Sequence, residues 1–152
     1  LNPGGDFEAW DITTRHGDCS FDAVTLIEVL EHIPPPQVER FVYGLSTYIS
    51  DGDTLLLTVP HANKPVQSEH YQHFSTALLK ESLEPHFNIQ EIVYFDRDSR
   101  KLRYLEALMQ NRLFVLNHSR LTTAFFNYYI RTHLLTDEAS CGRMLAVATV
   151  RR

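Results

Sequence analysis

Carboxylate and imidazole side chains cluster where a predicted buried strand ends. The stretch VTLIEVLEHIPPPQ, residues 24–37, begins as an apolar strand and reaches Glu28, Glu31 and His32 just before a triple proline. Such groups act either as general acids and bases or as metal ligands. The stretch therefore has two interpretations, the wall of a cofactor pocket or half of a metal site.

A later polar loop supplies further imidazoles. His70 and His73 form an H-x-x-H pair after the apolar run TLLLTVP and His61. With the E-x-x-E-H of residues 28–32, the oxygen and nitrogen ligands would suit Mg²⁺, Mn²⁺ or Zn²⁺. Ligand spacing alone arises often by coincidence. We therefore expect these groups to line a pocket, without a metal.

The elements that must position these groups alternate along the chain. Strands are predicted at DFEAWDI (6–12), FDAVTLIEV (21–29), TLLLTVP (54–60), NIQEIVYF (88–95) and after Gly142. Helices are predicted from Gln37 to Ile49, from Ser75 or Thr76 to Phe87, and twice within residues 100–135. This order predicts an α/β fold, Rossmann-like, with a mostly parallel sheet and helices on its faces. In such sheets ligands bind outside the carboxyl ends of the strands, where Glu28 to His32 and Pro60 to His61 fall.

Composition and charge bound the class of protein. The 152 residues are 43% hydrophobic and lack an apolar run near the ~20 residues that span a bilayer, which predicts one soluble domain. Cys19 and Cys141 have no metal-ligand spacing, so we expect free thiols and a cytoplasmic location. The net charge is −5, yet residues 100–135 carry six basic side chains and one acidic one. That segment, at +5, predicts either an anion-facing surface or packing against the acidic remainder.

Several stretches in order resemble one family. SFDAVTLIEVLEHIPPPQVERFVYGLSTYISDGDTLLLTVPHA is similar to the middle of class I S-adenosylmethionine-dependent methyltransferases, and EHYQHFSTALLKESLEPHFNIQEI to their next elements. The resemblance covers about Asp6 to Phe95 and the closing strand. It implies S-adenosylmethionine as cofactor and methyl transfer to an unidentified acceptor, a small molecule or glycan.

The resemblance lacks the glycine-rich turn that follows the family's first strand. Gly4 and Gly5 precede a strand that matches the family's third. We therefore expect the carboxyl-terminal part of a methyltransferase domain, with its amino-terminal strands missing and little activity alone. A non-catalytic scaffold with a methyltransferase-like fold is an alternative. The open sheet edge also predicts self-association.

The resemblance implies roles for particular residues. Asp11 and Ile12 would lie at the adenine, although Asp11 also suits a turn cap. Leu26, Ile27 and Glu28 would flank the sulfonium and the transferring methyl group. His32 and His73 are the predicted catalytic residues, because a protic acceptor needs a base with a pKa near neutrality.

A second resemblance implies a different acceptor. E-x-x-E-H with a later histidine is similar to metal-dependent small-RNA 2′-O-methyltransferases, which would make Glu28, Glu31, His32 and His73 the metal ligands. The loop EHYQHFS departs from that family's acidic loop. RNA is thus the weaker acceptor prediction.

The domain organisation is predicted as 1–99 core, 100–140 helical insertion and 142–152 last strand. The family's last two strands normally form a close hairpin, whereas here about 50 residues intervene. The insertion is predicted either to cover an anionic acceptor or to pack its aromatic residues in the core.

Overall fold

The computed structural model describes residues 9, 11–14, 20–97, 99–109 and 118–151. The strands are β1 (Phe21–Ile27), β2 (Ile49–Pro60), β3 (Phe87–Arg97) and β4 (Cys141–Val150). The helices are α1 (Val38–Ser46), α2 (Thr76–Leu83), α3 (Arg100–Met109) and α4 (Ser119–Thr132). Two short 3₁₀ turns, Leu30–His32 and Pro35–Gln37, link β1 to α1.

The four strands form one sheet in the order β1-β2-β4-β3. β1 runs parallel to β2, while β4 is antiparallel to both β2 and β3. Three strands therefore share one direction, and β4 is inserted between two of them in the opposite direction. This confirms the α/β fold with an open, Rossmann-like sheet. The antiparallel placement also brings the amino end of β4 to the edge where β1 and β2 end.

The core lies between one face of this sheet and helices α1 and α2. Cross-strand pairs on that face join Leu55 to Ala148 and Leu57 to Ala146, and all four side chains are buried. Helix α1 buries four apolar side chains, Val38, Phe41, Val42 and Leu45, and α2 buries Leu79 and Leu83. They form a single cluster, and each fully buried aliphatic side chain stabilises the fold by about 1.5–3 kcal/mol.

Local signals explain where α1 and α2 begin. The triple proline ends in the Pro35–Gln37 turn, whose fixed φ angles lead directly into α1. Ser75 caps α2, since its Oγ accepts a hydrogen bond from the backbone N–H of Leu78 at 3.2 Å. The alternative cap, Thr76, is the first helical residue.

The β1–β2 connection differs from the sequence prediction. Ile49 completes the apolar stripe of a helix in sequence, but it begins β2 and pairs with Phe21. The register then shifts to Ala23 opposite Thr54, so Ser50–Asp53 form a bulge, and Gly52 takes φ +82°. The turn-forming residues SDGD thus lie inside a strand.

The predicted strand over 6–12 falls mostly outside the described residues. Residues 11–14 form a turn that packs beside α1. Arg40 Nε donates to the Thr13 carbonyl at 2.9 Å, and a Cβ at Gly44 would collide with the Ile12 carbonyl oxygen. Gly44 therefore permits this close approach.

The predicted helical insertion between the last two strands is confirmed. Helices α3 and α4 both lie between β3 and β4, which pair with each other in the sheet. The end of the insertion is tied to β3 by backbone hydrogen bonds, from Asp96 N to Leu134 O and from Arg97 N to His133 O. Among the described residues, none of the helices is both long enough and apolar enough to cross a bilayer.

Candidate functional site

A pocket of about 300 Å³ opens at the edge where β1 and β2 end. Its walls come from the residues after β1, the loop that follows β2, and the start of β4. The loop is held by backbone hydrogen bonds from Tyr71 N to Glu31 O and from Phe74 N to Pro60 O. Among the described residues, ten line the pocket, namely Glu28, Glu31, His32, Pro60, Lys64, Gln67, His70, His73, Gly142 and Arg143.

One side of the pocket is a chain of alternating charges. Arg143 donates from Nε to Glu28 Oε2 at 3.1 Å and from Nη1 to Asp96 Oδ2 at 2.7 Å. Lys64 Nζ donates to the same Asp96 oxygen at 2.6 Å, and a Cβ at Gly142 would collide with the Lys64 side chain. Gly142 thus lets Lys64 cross β4 to reach Asp96.

The charges shift the protonation of Asp96. Burial alone would raise its pKa, but Lys64, by hydrogen bond and charge, together with Arg143 and Tyr129, holds the pKa below its ordinary value. Asp96 is therefore ionised at neutral pH. The network joins the pocket to the helical insertion, because Tyr129 of α4 donates to Asp96 Oδ1 at 3.4 Å.

Both acids that hold Arg143 sit in left-handed backbone. Glu28 has φ 52° and Asp96 has φ 59°, a region that non-glycine residues adopt rarely. Glu28 is held there because its N–H donates to Thr58 O at 3.1 Å and to Thr58 Oγ1 at 3.2 Å. Such conformations cost about 1–3 kcal/mol and are concentrated at functional sites.

Glu31 forms the buried floor of the other side. Its side chain is fully buried, and neither carboxylate oxygen has a hydrogen-bond partner among the described residues. Burial raises the pKa of Glu31, and the nearby charge of Glu28 adds to this rise. One donor atom from each of Glu31, His32 and His70 lies within 4.8 Å of the others.

Backbone carbonyls orient the histidines. His32 Nδ1 lies 2.9 Å from Glu69 O, and His73 Nδ1 lies 3.0 Å from Lys64 O. A carbonyl only accepts, so both Nδ1 atoms carry a proton, and either ring when neutral has its lone pair on Nε2. His73 Nε2 lies 2.9 Å from His70 Nδ1, which must then donate to it. His70 is thereby left with its own lone pair on Nε2.

The geometry of the sheet matches that of solved structures. No protein-family model matches the sequence. The chain superposes on N-methyltransferase NodS from Bradyrhizobium japonicum WM9, solved with S-adenosylhomocysteine, with TM-score 0.56 and 12% identity over 95% of this chain. A 1,6-didemethyltoxoflavin-N1-methyltransferase from Burkholderia thailandensis, also solved with S-adenosylhomocysteine, gives TM-score 0.57 and 14% identity over 96% of this chain. The cyclase SpnF gives TM-score 0.55 and 18% identity over 95%.

The chain has the class I methyltransferase fold. It spans 54% of the NodS chain, 51% of the toxoflavin enzyme and 56% of SpnF, little more than half of each. At such identities the likeness establishes the fold, and SpnF shows that the fold also serves a cyclase.

The predicted cofactor residues of this methyltransferase fold lie in two places. Leu26, Ile27 and Glu28 end β1, where Leu26 packs against the core, Ile27 is 57% exposed and Glu28 lines the pocket. Asp11 caps its own turn, because Asp11 Oδ1 accepts hydrogen bonds from Thr13 N and Thr13 Oγ1, both at 2.8 Å. These hydrogen bonds lower the pKa of Asp11. The assignment of these residues to a cofactor stays a prediction.

The predicted catalytic pair occupies the pocket in unequal positions. His32 is exposed, while His73 is buried and contacts His70. Of the alternative metal ligands, Glu31 and His32 lie beside His70, whereas Glu28 faces Arg143. That four-residue ligand set also stays a prediction.

Sequence reasoning missed Lys64 and Arg143 as pocket residues, and Asp96 as the carboxylate that pairs with both. Arg143 stands in the apolar run GRMLAVATV, directly after Gly142. A charged residue at the start of an otherwise apolar strand was the available signal. This signal locates Arg143 at the pocket only when the antiparallel direction of β4 is known, because that direction places Arg143 opposite Pro60.

Proposed function

We propose that this chain belongs to the catalytic domain of an S-adenosylmethionine-dependent methyltransferase and that its pocket receives the methyl acceptor. The observation that carries the proposal is the polar pocket at the carboxyl ends of β1 and β2, in a fold shared with enzymes solved with S-adenosylhomocysteine. Ligands of open α/β sheets bind at this edge. Leu26, Ile27 and Glu28 would bring the sulfonium to the pocket from β1, and Asp11 and Ile12 would contact the adenine.

Methyl transfer is an in-line displacement at carbon, so its acceleration depends mainly on alignment of the two reactants. A hydroxyl or ring-nitrogen acceptor also loses a proton, and His32 would be the base, with its Nε2 lone pair left by the Glu69 carbonyl contact. His73 would act through His70, since its Nε2 faces the His70 ring.

The small volume of the pocket favours a small acceptor. About 300 Å³ accommodates a small molecule or one sugar ring rather than an extended polymer. Lys64 and Arg143 would attract an anionic or hydroxyl-rich group, although both are partly neutralised by Asp96 and Glu28. We therefore propose a small-molecule or glycan acceptor.

One observation favours the RNA ribose methyltransferase as a second candidate. Glu31, His32 and His70 bring a carboxylate and two imidazoles together, as a ribose-clamping metal would require. The two candidates differ in the acceptor, which is a small molecule or glycan in the first and the terminal ribose of an RNA in the second.

Calorimetric titration of S-adenosylhomocysteine, in buffer with EDTA, tests the proposed cofactor. The chain spans about half of its structural neighbours, so the titration is run on these 152 residues and on the full reading frame that encodes them. We expect saturable binding by the full product and weaker binding by the 152 residues. Ile27→Glu should weaken binding strongly because it places a carboxylate beside the cofactor, whereas Ile130→Glu, equally exposed on α4, should not.

The proposal fails if the protein encoded by the full reading frame does not bind S-adenosylhomocysteine. It also fails if the Ile27→Glu variant binds S-adenosylhomocysteine as tightly as the Ile130→Glu variant and the parent do. Repetition with Mg²⁺ or Mn²⁺ separates the two acceptor candidates. Activity toward an RNA 3′ end that requires the metal would favour the second.

A further inference from the structure

The donor atoms of Glu31, His32 and His70 form an unusual group. One donor from each residue lies within 4.8 Å of the other two, at the pocket wall. The rings of His32 and His70 meet edge to face, with centroids 4.7 Å apart. Two imidazoles and one carboxylate form the donor set of many catalytic Zn²⁺ sites and of non-haem iron sites.

Glu31 supplies an independent sign of a ligand. The side chain is fully buried, yet both of its oxygens lack hydrogen-bond partners among the described residues. Leaving a buried acceptor unsatisfied destabilises the fold, and more so when it is charged. A cation held between Glu31 and the two histidines would satisfy it.

The hydrogen-bond partners of the histidines point the same way. Glu69 O fixes the Nδ1 proton of His32, and the relay from Lys64 O through His73 fixes the Nδ1 proton of His70. Both rings therefore present an Nε2 lone pair. Histidine ligands of metals usually donate their other ring N–H in this manner, which fixes the tautomer and increases basicity.

The surrounding charges tolerate a cation. Glu28 and Asp96 pair with Lys64 and Arg143, and the carboxylate of Glu31 takes part in none of these ion pairs. The negative charges of Glu28 and Asp96 therefore balance the positive charges of Lys64 and Arg143. With Glu31 ionised, as it would be when a cation is bound, these five side chains carry a net charge of −1.

We propose that Glu31, His32 and His70 bind one divalent transition-metal ion of the zinc class, with His73 as the residue that positions His70. Glu28 is outside this ligand set because it pairs with Arg143, and His73 is outside it because its Nε2 accepts from His70. Three protein ligands leave coordination positions open toward the pocket. The bound ion would activate an acceptor hydroxyl by lowering its pKa, and His32, as a ligand, would then not act as the base.

Titration with Zn²⁺ alone tests the site on the whole chain after EDTA treatment and dialysis. We expect one ion bound per chain, with a rise in Tm that grows with free Zn²⁺. Co²⁺ in place of Zn²⁺ should give visible absorption bands of a low-coordinate site with nitrogen ligands. Because no cofactor is present, this result is independent of the proposed methyl transfer, and the EDTA titration above is independent of the metal.

Variants separate ligands from the positioning residue. Glu31→Gln and His70→Ala should weaken Zn²⁺ binding beyond the ~10–100-fold expected for His73→Ala, since they remove direct ligands. His73→Gln should recover most of the affinity, because its amide can donate to Lys64 O and accept from His70. The control variants Glu39→Gln and His118→Gln, both exposed and away from the pocket, should bind Zn²⁺ like the parent.

Folding of each variant is checked by Tm in EDTA. Metal-free Glu31→Gln should be at least as stable as the parent, because it removes a buried carboxylate, yet Zn²⁺ should no longer raise its Tm. The proposal is overturned if the parent binds no Zn²⁺ or Co²⁺, or if Glu31→Gln and His70→Ala bind them as tightly as the two controls.

Discussion

Helices α1 and α2 differ from α4 in how they are attached to the sheet. Helices α1 and α2 bury apolar side chains in one cluster with β2 and β4, whereas α4 buries none of its side chains. Four large apolar side chains of α4 are at least 40% exposed, Leu121, Phe126, Tyr128 and Ile130. Helix α4 is attached instead by the backbone pairing of the residues that follow it to β3 and by Tyr129 at Asp96.

The apolar core and the polar contacts of α4 therefore have different roles. Apolar burial fixes the sheet and the helices that place Glu28, Glu31 and His32. Polar contacts at Asp96 then join the insertion to the same pocket. Changes in the core should therefore alter global stability, while changes on α4 should leave it almost unaltered.

The largest effect is expected from Phe74→Ala. Phe74 is fully buried at the end of the loop that carries His70 and His73, so its removal should lower the free energy of unfolding by about 3–5 kcal/mol. Phe126→Ala, at a side chain 55% exposed on α4, should change it by less than about 0.5 kcal/mol. Urea unfolding measures both. Equal losses would mean that α4 belongs to the core, against the comparison.

A smaller effect is expected from Asp96→Asn, which breaks the attachment between insertion and pocket. Loss of its charged hydrogen bonds to Lys64 and Arg143 should cost about 1–3 kcal/mol at neutral pH. Asp51→Asn, at an exposed position in the β2 bulge, is the matched control and should cost little.

The advantage of the parent over Asp96→Asn should depend on pH. The pKa of Asp96 is lower in the folded chain than in the unfolded one, so its stabilising effect is complete above the unfolded value of about 3.9. The difference in Tm between parent and variant should therefore hold from neutral pH to about pH 5 and shrink as the pH falls further through the folded pKa. A difference that stays constant down to pH 3 would contradict the ion-pair network.

Association tests which exposed region attracts another chain. In the described sheet β1 is an edge strand, and Ile27 at its end is 57% exposed. Such edges pair with other chains, so sedimentation velocity should show concentration-dependent association that Ile27→Lys weakens with little change in stability. Leu121→Lys, 52% exposed on α4, should leave the association unchanged. The opposite pattern would place the contact on the insertion.

The smallest effect is expected at Cys141, where the insertion meets β4. Cys141 is fully buried, and burial, with the nearby charge of Glu138, raises the pKa of its thiol to about 11. At pH 8 only roughly one thiol in a thousand is then a thiolate. In a Cys19→Ser variant, the thiol should react with a disulfide reagent slowly in the folded state and rapidly in urea. Fast reaction without urea would show that the insertion readily opens from β4.

The sequence was sufficient for most elements because their signals are local. Apolar periodicity located α1, the capping serine located α2, and continuous apolar runs located β1 and most of β2. Ile49 was misplaced because its spacing fits a helical stripe as well as a strand. Its pairing with Phe21 decides between the two, and that contact is distant in sequence.

The site was only partly predictable for the same reason. Residue types and their position after buried strands were enough to select Glu28, Glu31, His32 and His73. The antiparallel direction of β4, which brings Arg143 opposite Pro60, is set by long-range packing and has no local signature. Likewise, only the folded loop shows that His73 contacts His70, while Glu28 turns to Arg143.

The sequence by itself therefore determined the alternation of strands and helices and the set of ionisable residues at the sheet edge. Tertiary structure decided how those residues are divided, with Glu28 in the ion-pair network and Glu31 buried beside His32 and His70. The physical reason is the distance along the sequence over which each kind of interaction acts. Backbone propensity and hydrophobic period act over a few residues, whereas hydrogen bonds and charges join residues as far apart as Glu28 and Arg143.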